Sequence, residues 1–133
     1  MQKKILFALV ALSCASLQAE GTVEFSKDVW PILKENCIKC HGPNYVDSKG
    51  NERSAKAGLR LDSAEAITKG SKEGAVVVAG KPAESKLYML TILPKDNSDV
   101  MPPKGELLTK QQQETLKTWI LEGAKFGDWK NGQ

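Results

Sequence analysis

Two cysteines and the single histidine of the chain stand within five residues, as Cys37-Ile38-Lys39-Cys40-His41. Two thiols separated by two residues can lie on one helical turn, where each can add to one vinyl group of a porphyrin ring. The histidine that follows at once can then bind the central iron as an axial ligand. The spacing therefore predicts one haem c, attached covalently through Cys37 and Cys40 and ligated by His41.

Two other chemistries use closely spaced cysteines. A thioredoxin-like dithiol requires a strand before the motif, within a β-α-β unit, whereas a helix is expected there. A structural zinc site requires four ligands, of which the sequence supplies Cys37, Cys40 and His41, so that a carboxylate would have to complete the set. Both alternatives fit the sequence less well than haem attachment does.

His41 is the only histidine in the sequence, so a second axial ligand from the same chain would have to be another type of residue. Met89 and Met101 are the candidates. Met89 lies in a predicted helix, where the simplest role of a methionine is core packing. Met101 lies on a predicted loop before Pro102 and Pro103, which stiffen the backbone and suit a thioether held against iron. We expect Met101 to bind the iron, with a packing role as the alternative.

The first 19 residues have the layout of a secretory signal peptide. Two lysines precede an apolar run over residues 5–12, and Ala19 offers a small residue at the cleavage position. The run is far shorter than the roughly 20 residues of a membrane span. We expect residues 1–19 to be removed and residues 20–133 to form one periplasmic monohaem domain. A lipid anchor at Cys14, within a loose lipoprotein-type box, is the alternative.

The charge and the apolar content of the chain narrow the functions that the domain can have. The formal charge of the whole chain is +3, and two of its lysines lie in the leader, so the remaining domain is nearly neutral. Nucleic-acid binding requires a concentrated basic face, and we expect none. The apolar fraction is 41% even with the leader included. A core this lean favours a cofactor that stabilises the fold.

The spacing of apolar residues predicts three to four helices, long loops and no sheet. Phe25 to Cys37 carries a helical stripe, with Asp28 as its cap and Pro31 in its first turn. Two further helices are predicted, one from the capping pattern at residues 62–65 to Gly70 and one over residues 85–93. The last helix is predicted to follow the capping-box pattern Thr109-Lys110-Gln111-Gln112. Its predicted apolar face consists of Leu116, Trp119, Ile120 and Gly123. Residues 76–78 are a candidate extended piece, and residues 44–56 are predicted to be an exposed loop.

Several motifs stand in order along the chain. They are Phe25-x-x-Asp28-Val29-x-Pro31, Cys37-x-x-Cys40-His41-Gly42, Ala57-Gly58-Leu59-Arg60-Leu61-Asp62, Gly80-x-Pro82-x-x-Ser85-x-Leu87-Tyr88, Met101-Pro102-Pro103-Lys104, Leu108-Thr109-x-x-Gln112 and Leu116-x-x-Trp119-Ile120-x-x-Gly123-Ala124. Together they resemble the class I c-type cytochromes, most closely the planctomycete-type cytochrome c domain, over roughly residues 23–124.

The resemblance implies an all-α, small cytochrome c fold, with three to four helices and long loops around one covalently bound haem. In that fold the first and last helices cross. Phe25 and Val29 would therefore pack near Trp119, Ile120 and Gly123, where the glycine would permit close approach.

Arg60 is a candidate cofactor-binding residue, because it stands between two apolar residues in Leu59-Arg60-Leu61. A guanidinium can pair bidentately with a carboxylate and so anchor a haem propionate. A solvated surface position for Arg60 is the alternative. Trp30, Tyr88 and Trp119 are the other candidate donors.

These predictions together indicate a periplasmic single-electron carrier with His/Met ligation. Its partners would be redox proteins, a dehydrogenase as donor and an oxidase or reductase as acceptor. We expect no enzyme active site, because His41 is committed to iron and a second haem motif is absent from the sequence. The alternatives are an open-site haem protein, peroxidase-like or gas-sensing, and a cytochrome subunit of a larger dehydrogenase complex.

Overall fold

The computed structural model describes residues 22–132. The predicted signal peptide, its cleavage position and Cys14 lie outside this range. Within it the chain forms five short α-helices and one hairpin. The helices are α1 (Trp30–Asn36), α2 (Ile38–His41), α3 (Ala64–Lys69), α4 (Lys86–Met89) and α5 (Lys110–Leu121), and the strands are β1 (Tyr45–Val46) and β2 (Glu52–Arg53). Across residues 22–132, every helix is too short or too polar to cross a bilayer.

The regular structure is mostly helical, as predicted, but it is not all-α: five α-helices form where three to four were expected, and the expectation of no sheet is wrong within residues 44–56. Strands β1 and β2 form a short antiparallel ladder. The carboxylate of Asp47 orders the connecting turn, because it accepts hydrogen bonds from the N–H groups of Lys49 and Asn51 and forms an ion pair with Arg53. The segment is exposed, as its polar composition predicted. That composition does not show that one carboxylate folds the segment into a hairpin.

The first predicted helix covers its predicted range, Phe25 to Cys37, but changes helix type within it. Phe25–Val29 form a π-helical turn. Asp28, predicted as the cap, lies inside this turn, where its carboxylate accepts the N–H of Glu24 at 2.7 Å. Pro31 lies in the first turn of α1, as predicted. At Cys37 the backbone leaves helical geometry, with φ −121° and ψ −37°, and a new helix, α2, begins after it.

The predicted ends of two other helices are largely confirmed. The hydroxyl of Ser63 caps α3 by accepting the N–H of Ala66 at 3.1 Å, so the cap lies one residue later than the predicted Asp62. Helix α3 ends at Gly70, as predicted. The side chains of Thr109 and its partner three residues later form the predicted capping box of α5.

The helix predicted over residues 85–93 is shorter than expected. It consists of α4 followed by a 3₁₀ turn at Leu90–Ile92. Ser85, which is fully buried, stands directly before α4. Its hydroxyl accepts the N–H of Val78 at 2.8 Å and donates to the carbonyl oxygen of Lys81 at 2.9 Å. These bonds close the loop before α4, and the predicted extended piece that ends at Val78 is not a strand.

The core lies where α5 packs against the π-helical turn at Phe25–Val29. The ring of Phe25 packs on that of Trp119 with centroids 5.1 Å apart, and Val29 and Ile120 are fully buried. The predicted contact between the first and last helical segments is confirmed. The buried apolar cluster comprises Phe25, Val29, Ile32, Leu33, Leu61, Ile67, Leu108, Leu116, Trp119 and Ile120.

Gly123 has a different role from the close approach expected of it. A Cβ at this position would meet the Lys125 side chain at 3.7 Å, which is ordinary van der Waals contact. Its φ of +101° is one that residues with a side chain rarely adopt. Glycine at this position therefore turns the chain after α5.

The segment after α5 folds back over the N-terminal part of the chain. Its Trp129 ring packs against Phe25 at 4.5 Å and against Trp30 at 5.1 Å. The backbone of this tail also pairs with the start of α3, where the N–H of Ala64 donates to the carbonyl oxygen of Lys130 at 2.9 Å. The family resemblance ended before this tail, so the sequence did not predict its packing.

Candidate haem-attachment site

The predicted attachment motif lies on one helical turn. The N–H groups of Cys40 and His41 both donate to the carbonyl oxygen of Cys37, at 3.1 and 2.9 Å. Cys37 and His41 are partly buried and Cys40 is exposed. Both thiols and the histidine therefore leave the same turn, as attachment to one side of a flat ring requires.

The environment of Cys37 argues against the dithiol alternative. Burial, reinforced by the negative charge of a Cys40 thiolate, raises the pKa of Cys37 to about 11. Reactive dithiols depend on the opposite change, a lowered thiol pKa. In addition, helix α1 precedes the motif in place of the strand that a thioredoxin-like unit requires.

The zinc alternative lacks a complete ligand set. Among residues 22–132, no three side chains of His, Cys, Asp or Glu are arranged to hold a metal ion. A carboxylate that could join Cys37, Cys40 and His41 is thus missing from the described part of the chain. Haem iron does not require such a cluster, because the porphyrin supplies the equatorial ligands and the protein only the axial ones.

The imidazole of His41 is oriented by a segment that follows it by 18 residues. Its Nδ1 lies 3.2 Å from the carbonyl oxygen of Leu59, and the N–H of Leu61 donates to the carbonyl oxygen of His41 at 2.7 Å. Because a carbonyl oxygen only accepts hydrogen bonds, Nδ1 carries the proton and Nε2 keeps its lone pair. This is the tautomer of an axial histidine ligand, so the residues present fit a covalently attached haem.

Two left-handed residues bring the Leu59 carbonyl to the histidine. Ala57 and Gly58 have φ values of +55° and +64° and turn the chain directly before Leu59. This segment is one of the motifs that carry the family resemblance, but its sequence predicts no role for Leu59. The signal available was the small pair Ala57-Gly58, which indicates a tight turn but not the carbonyl that the turn presents.

Gly42 allows the motif turn to end directly after the histidine. A Cβ on Gly42 would lie 2.6 Å from the carbonyl oxygen of Ile38 and 3.1 Å from a methyl carbon of the same residue. The φ of Gly42 is −92°, so the requirement for glycine here is one of space and not of backbone conformation. Position 42 therefore requires a residue without a side chain, because the backbone passes close to Ile38 as α2 ends.

Arg60, the predicted propionate anchor, is paired within the protein. Its Nε and Nη2 donate to the two carboxylate oxygens of Asp62 at 2.9 and 2.6 Å, and this hydrogen bonding raises the pKa of Arg60. The Arg60 side chain is 42% exposed. A propionate would have to bind Nη1 or displace Asp62, so contact between Arg60 and haem stays a prediction. Of the other candidate donors, Trp119 already donates from Nε1 to the carbonyl oxygen of Lys125.

Met101 lies on a loop that is attached to the turn after α4. Its N–H donates to the carbonyl oxygen of Leu90 at 2.9 Å, and the peptide bond to Pro102 is cis. Met89, the other candidate, is the last residue of α4. Both methionines are partly buried, so burial does not distinguish them. The assignment of Met101 as the iron ligand stays a prediction.

Two cavities occur elsewhere in the described part of the chain. The larger, about 920 Å³, lies between the N-terminal segment and the tail and is lined in part by Phe25, Trp119 and Trp129. The smaller, about 140 Å³, lies beside Ile67 and Gly123. The attachment motif lines neither cavity.

Comparison with known protein families supports haem attachment over the dithiol and zinc alternatives. The sequence profile of a family described as planctomycete cytochrome C matches residues 37–105, more than half of the chain. The match begins at the first cysteine of the motif and ends shortly after Met101. The chain belongs to the planctomycete cytochrome C family. Membership in this cytochrome family implies a c-type haem and a role in electron transfer. No curated protein and no solved structure gives a significant match.

The matched range contains the attachment motif, the 57–61 segment and the Met101 loop of this cytochrome. Helices α1 and α5 lie outside it. The similarity of these two helices to the family fold therefore rests on the sequence motifs within them and on the contact between Phe25 and Trp119.

Proposed function

We propose that this protein is a periplasmic single-electron carrier with one haem c. In this proposal Cys37 and Cys40 would hold the porphyrin, and His41 and Met101 would ligate its iron. The observation that carries the proposal is the hydrogen bond between His41 Nδ1 and the Leu59 carbonyl oxygen, which prepares Nε2 as a metal ligand. Both residues lie within the range that matches the cytochrome family.

A bound haem c would supply reversible one-electron exchange between ferric and ferrous iron. The residues of the chain determine how that exchange is used. The Leu59 carbonyl fixes the imidazole plane and the position of its proton, so His41 would need no rearrangement during one-electron exchange at a bound haem. A thioether from Met101 favours ferrous iron and raises the potential, which suits an electron carrier.

The burial of the two cysteines supports a defined orientation of the cofactor. Cys37 is partly buried against the core, whereas Cys40 is exposed. The anchor at Cys40 would therefore lie at the surface, where a redox partner can approach, while the anchor at Cys37 lies against apolar side chains. The partners in this proposal are a dehydrogenase as donor and an oxidase or reductase as acceptor.

The periplasmic location in this proposal rests on the leader and on the cofactor together. The basic start, short apolar run and small residue at Ala19 fit a signal peptide. Covalent haem attachment at such a motif takes place outside the cytoplasm, so an exported chain is required. The domain proposed to carry the haem is residues 20–133.

Intact mass measurement tests the proposal. The full chain is expressed in a host with the haem-attachment machinery, and the exported protein is purified and weighed by mass spectrometry. The expected mass is that of residues 20–133 plus one haem, and the mass of the bare chain would contradict the proposal. Cys37→Ser and Cys40→Ser serve as matched variants, each of which should lose one thioether and most of the holoprotein.

A further inference from the structure

Gln113 is a polar residue on the inward face of α5. It is only 6% exposed, and its neighbours on that face, Leu116 and Ile120, are apolar and buried. The amide Nε2 of Gln113 donates to the carbonyl oxygen of Thr91 at 2.8 Å, across 22 residues of sequence. Burial of an amide is costly unless it is hydrogen-bonded, so this contact fixes α5 against one particular carbonyl group.

The turn that Gln113 holds also carries the attachment point of Met101. Thr91 is buried in the 3₁₀ turn after α4, and its hydroxyl donates to the carbonyl oxygen of Tyr88 at 2.7 Å. The preceding carbonyl group, that of Leu90, accepts the N–H of Met101 at 2.9 Å. Gln113 and Met101 therefore bind successive carbonyl groups of one turn.

We propose that Gln113 is a positioning residue for Met101 and so sets how firmly the thioether is held on the haem iron. The inference rests on the proposed function, because it takes Met101 as the iron ligand. Without the amide of Gln113, the Thr91 carbonyl would be buried without its partner. The turn would then shift to regain a partner, and it would carry the Leu90 carbonyl and the Met101 backbone with it.

A matched pair of substitutions on adjacent residues of α5 separates positioning from simple stability. Gln113→Leu removes the buried amide. Gln112→Leu removes an amide of the same kind whose oxygen accepts the N–H of Thr109 in the capping box, at the end of the helix. Both variants should lower the stability of the holoprotein, but only Gln113→Leu acts on the turn that holds Met101.

The measurements are made on the purified holoprotein of wild type and both variants. They are the ferric charge-transfer band of sulfur-ligated haem, the midpoint potential, the rate of carbon monoxide binding to ferrous protein, and hydrogen exchange of the Met101 N–H. For Gln113→Leu we expect a weaker band, a lower potential and faster carbon monoxide binding. Exchange at Met101 should be about tenfold faster, a factor that corresponds to about 1.4 kcal/mol. Gln112→Leu should match wild type in all four.

Two different results would overturn the inference, and only the second would also overturn the proposed ligation by Met101. If wild type shows the band but Gln113→Leu keeps the wild-type band, potential and Met101 exchange rate, Gln113 has no positioning role. If wild type itself lacks the band, Met101 is not the ligand, and the ligation proposed above fails together with the positioning role. Where Gln113→Leu yields too little holoprotein, Gln113→Ala removes the amide donor without adding bulk or charge and is measured in its place.

Discussion

The Nδ1 atom of His41 lies 3.2 Å from the carbonyl oxygen of Leu59, which belongs to a separate segment 18 residues further along the chain. Helix α2 delivers the histidine, but the later segment fixes the rotation and tautomer of its ring. The attachment motif and residues 57–61 therefore form one structural unit. The left-handed turn at Ala57 and Gly58 determines where the Leu59 carbonyl points.

A substitution at Gly58 should disturb this unit. Alanine at its φ of +64° is expected to cost about 1 kcal/mol, because a Cβ is crowded in the left-handed conformation. Gly50, at φ +78° in the hairpin turn with open space around it, offers the matched control. We expect Gly58→Ala to lower the free energy of unfolding somewhat more than Gly50→Ala, because its Cβ would also lie 2.8 Å from the Lys72 side chain, which would have to move. Only Gly58→Ala should also shift the midpoint potential, and an equal potential in both variants would contradict the role of Leu59.

Local and periodic features of the fold were predictable from the sequence. The attachment motif and the Thr109 capping box depend on residues within one helical turn, so their geometry follows from spacing. The Phe25–Trp119 contact was predictable from the family resemblance, which places the first and last helices across each other. The two-stranded hairpin was missed because its strands are too short to show an alternating pattern.

The supporting hydrogen bonds of the site could not be predicted in the same way. The choice of the Leu59 carbonyl depends on two consecutive left-handed residues, of which Ala57 is a type that rarely adopts that conformation. Gln113 stands in the sequence beside Gln112, and composition does not show which of the two is buried. The path of the loop and the rotation of α5, both set by tertiary packing, decide these contacts.

The thiol of Cys37 gives a pH-dependent prediction for the haem-free chain. Its pKa is raised by burial from 9.0 to about 11, so the reactive thiolate is scarce near pH 8. An alkylating reagent should therefore modify the exposed Cys40 first, and the Cys37 rate should rise about tenfold per pH unit toward pH 11. Peptide mapping after timed alkylation measures both rates. Equal rates at pH 8 would show that Cys37 is not buried before haem attachment.

The raised pKa of Cys37 also determines how the stability of the folded haem-free chain changes with pH. The folded haem-free chain binds the Cys37 proton more tightly than the unfolded chain does. The resulting stabilisation is fully present below the ordinary pKa of 9.0 and is lost as the pH rises through about 11. Urea unfolding of the haem-free chain between these values should show falling stability. A Cys37→Ala control should lack this component of the decline.

The C-terminal tail should contribute to stability through Trp129. Its ring contacts Phe25, Trp30 and Phe126, so we expect Trp129→Ala to lower the free energy of unfolding by about 3 kcal/mol. Leu121→Ala is the control, because Leu121 is 53% exposed and its loss should change stability by no more than about 0.5 kcal/mol. Urea denaturation of the holoproteins compares them. Equal effects of the two substitutions would mean that the tail does not pack as described.

The most direct test of the electron-carrier proposal is the weak charge-transfer band of sulfur-ligated ferric haem, measured in wild type, Met101→Ala and Met89→Ala. If Met101 binds the iron, the band is present in wild type and in Met89→Ala and absent in Met101→Ala, and only Met101→Ala has a lowered potential and binds carbon monoxide rapidly. Loss of the band in Met89→Ala alone would assign the ligand to Met89. A high-spin wild type that lacks the band and binds carbon monoxide at once would contradict the carrier proposal and favour an open iron site.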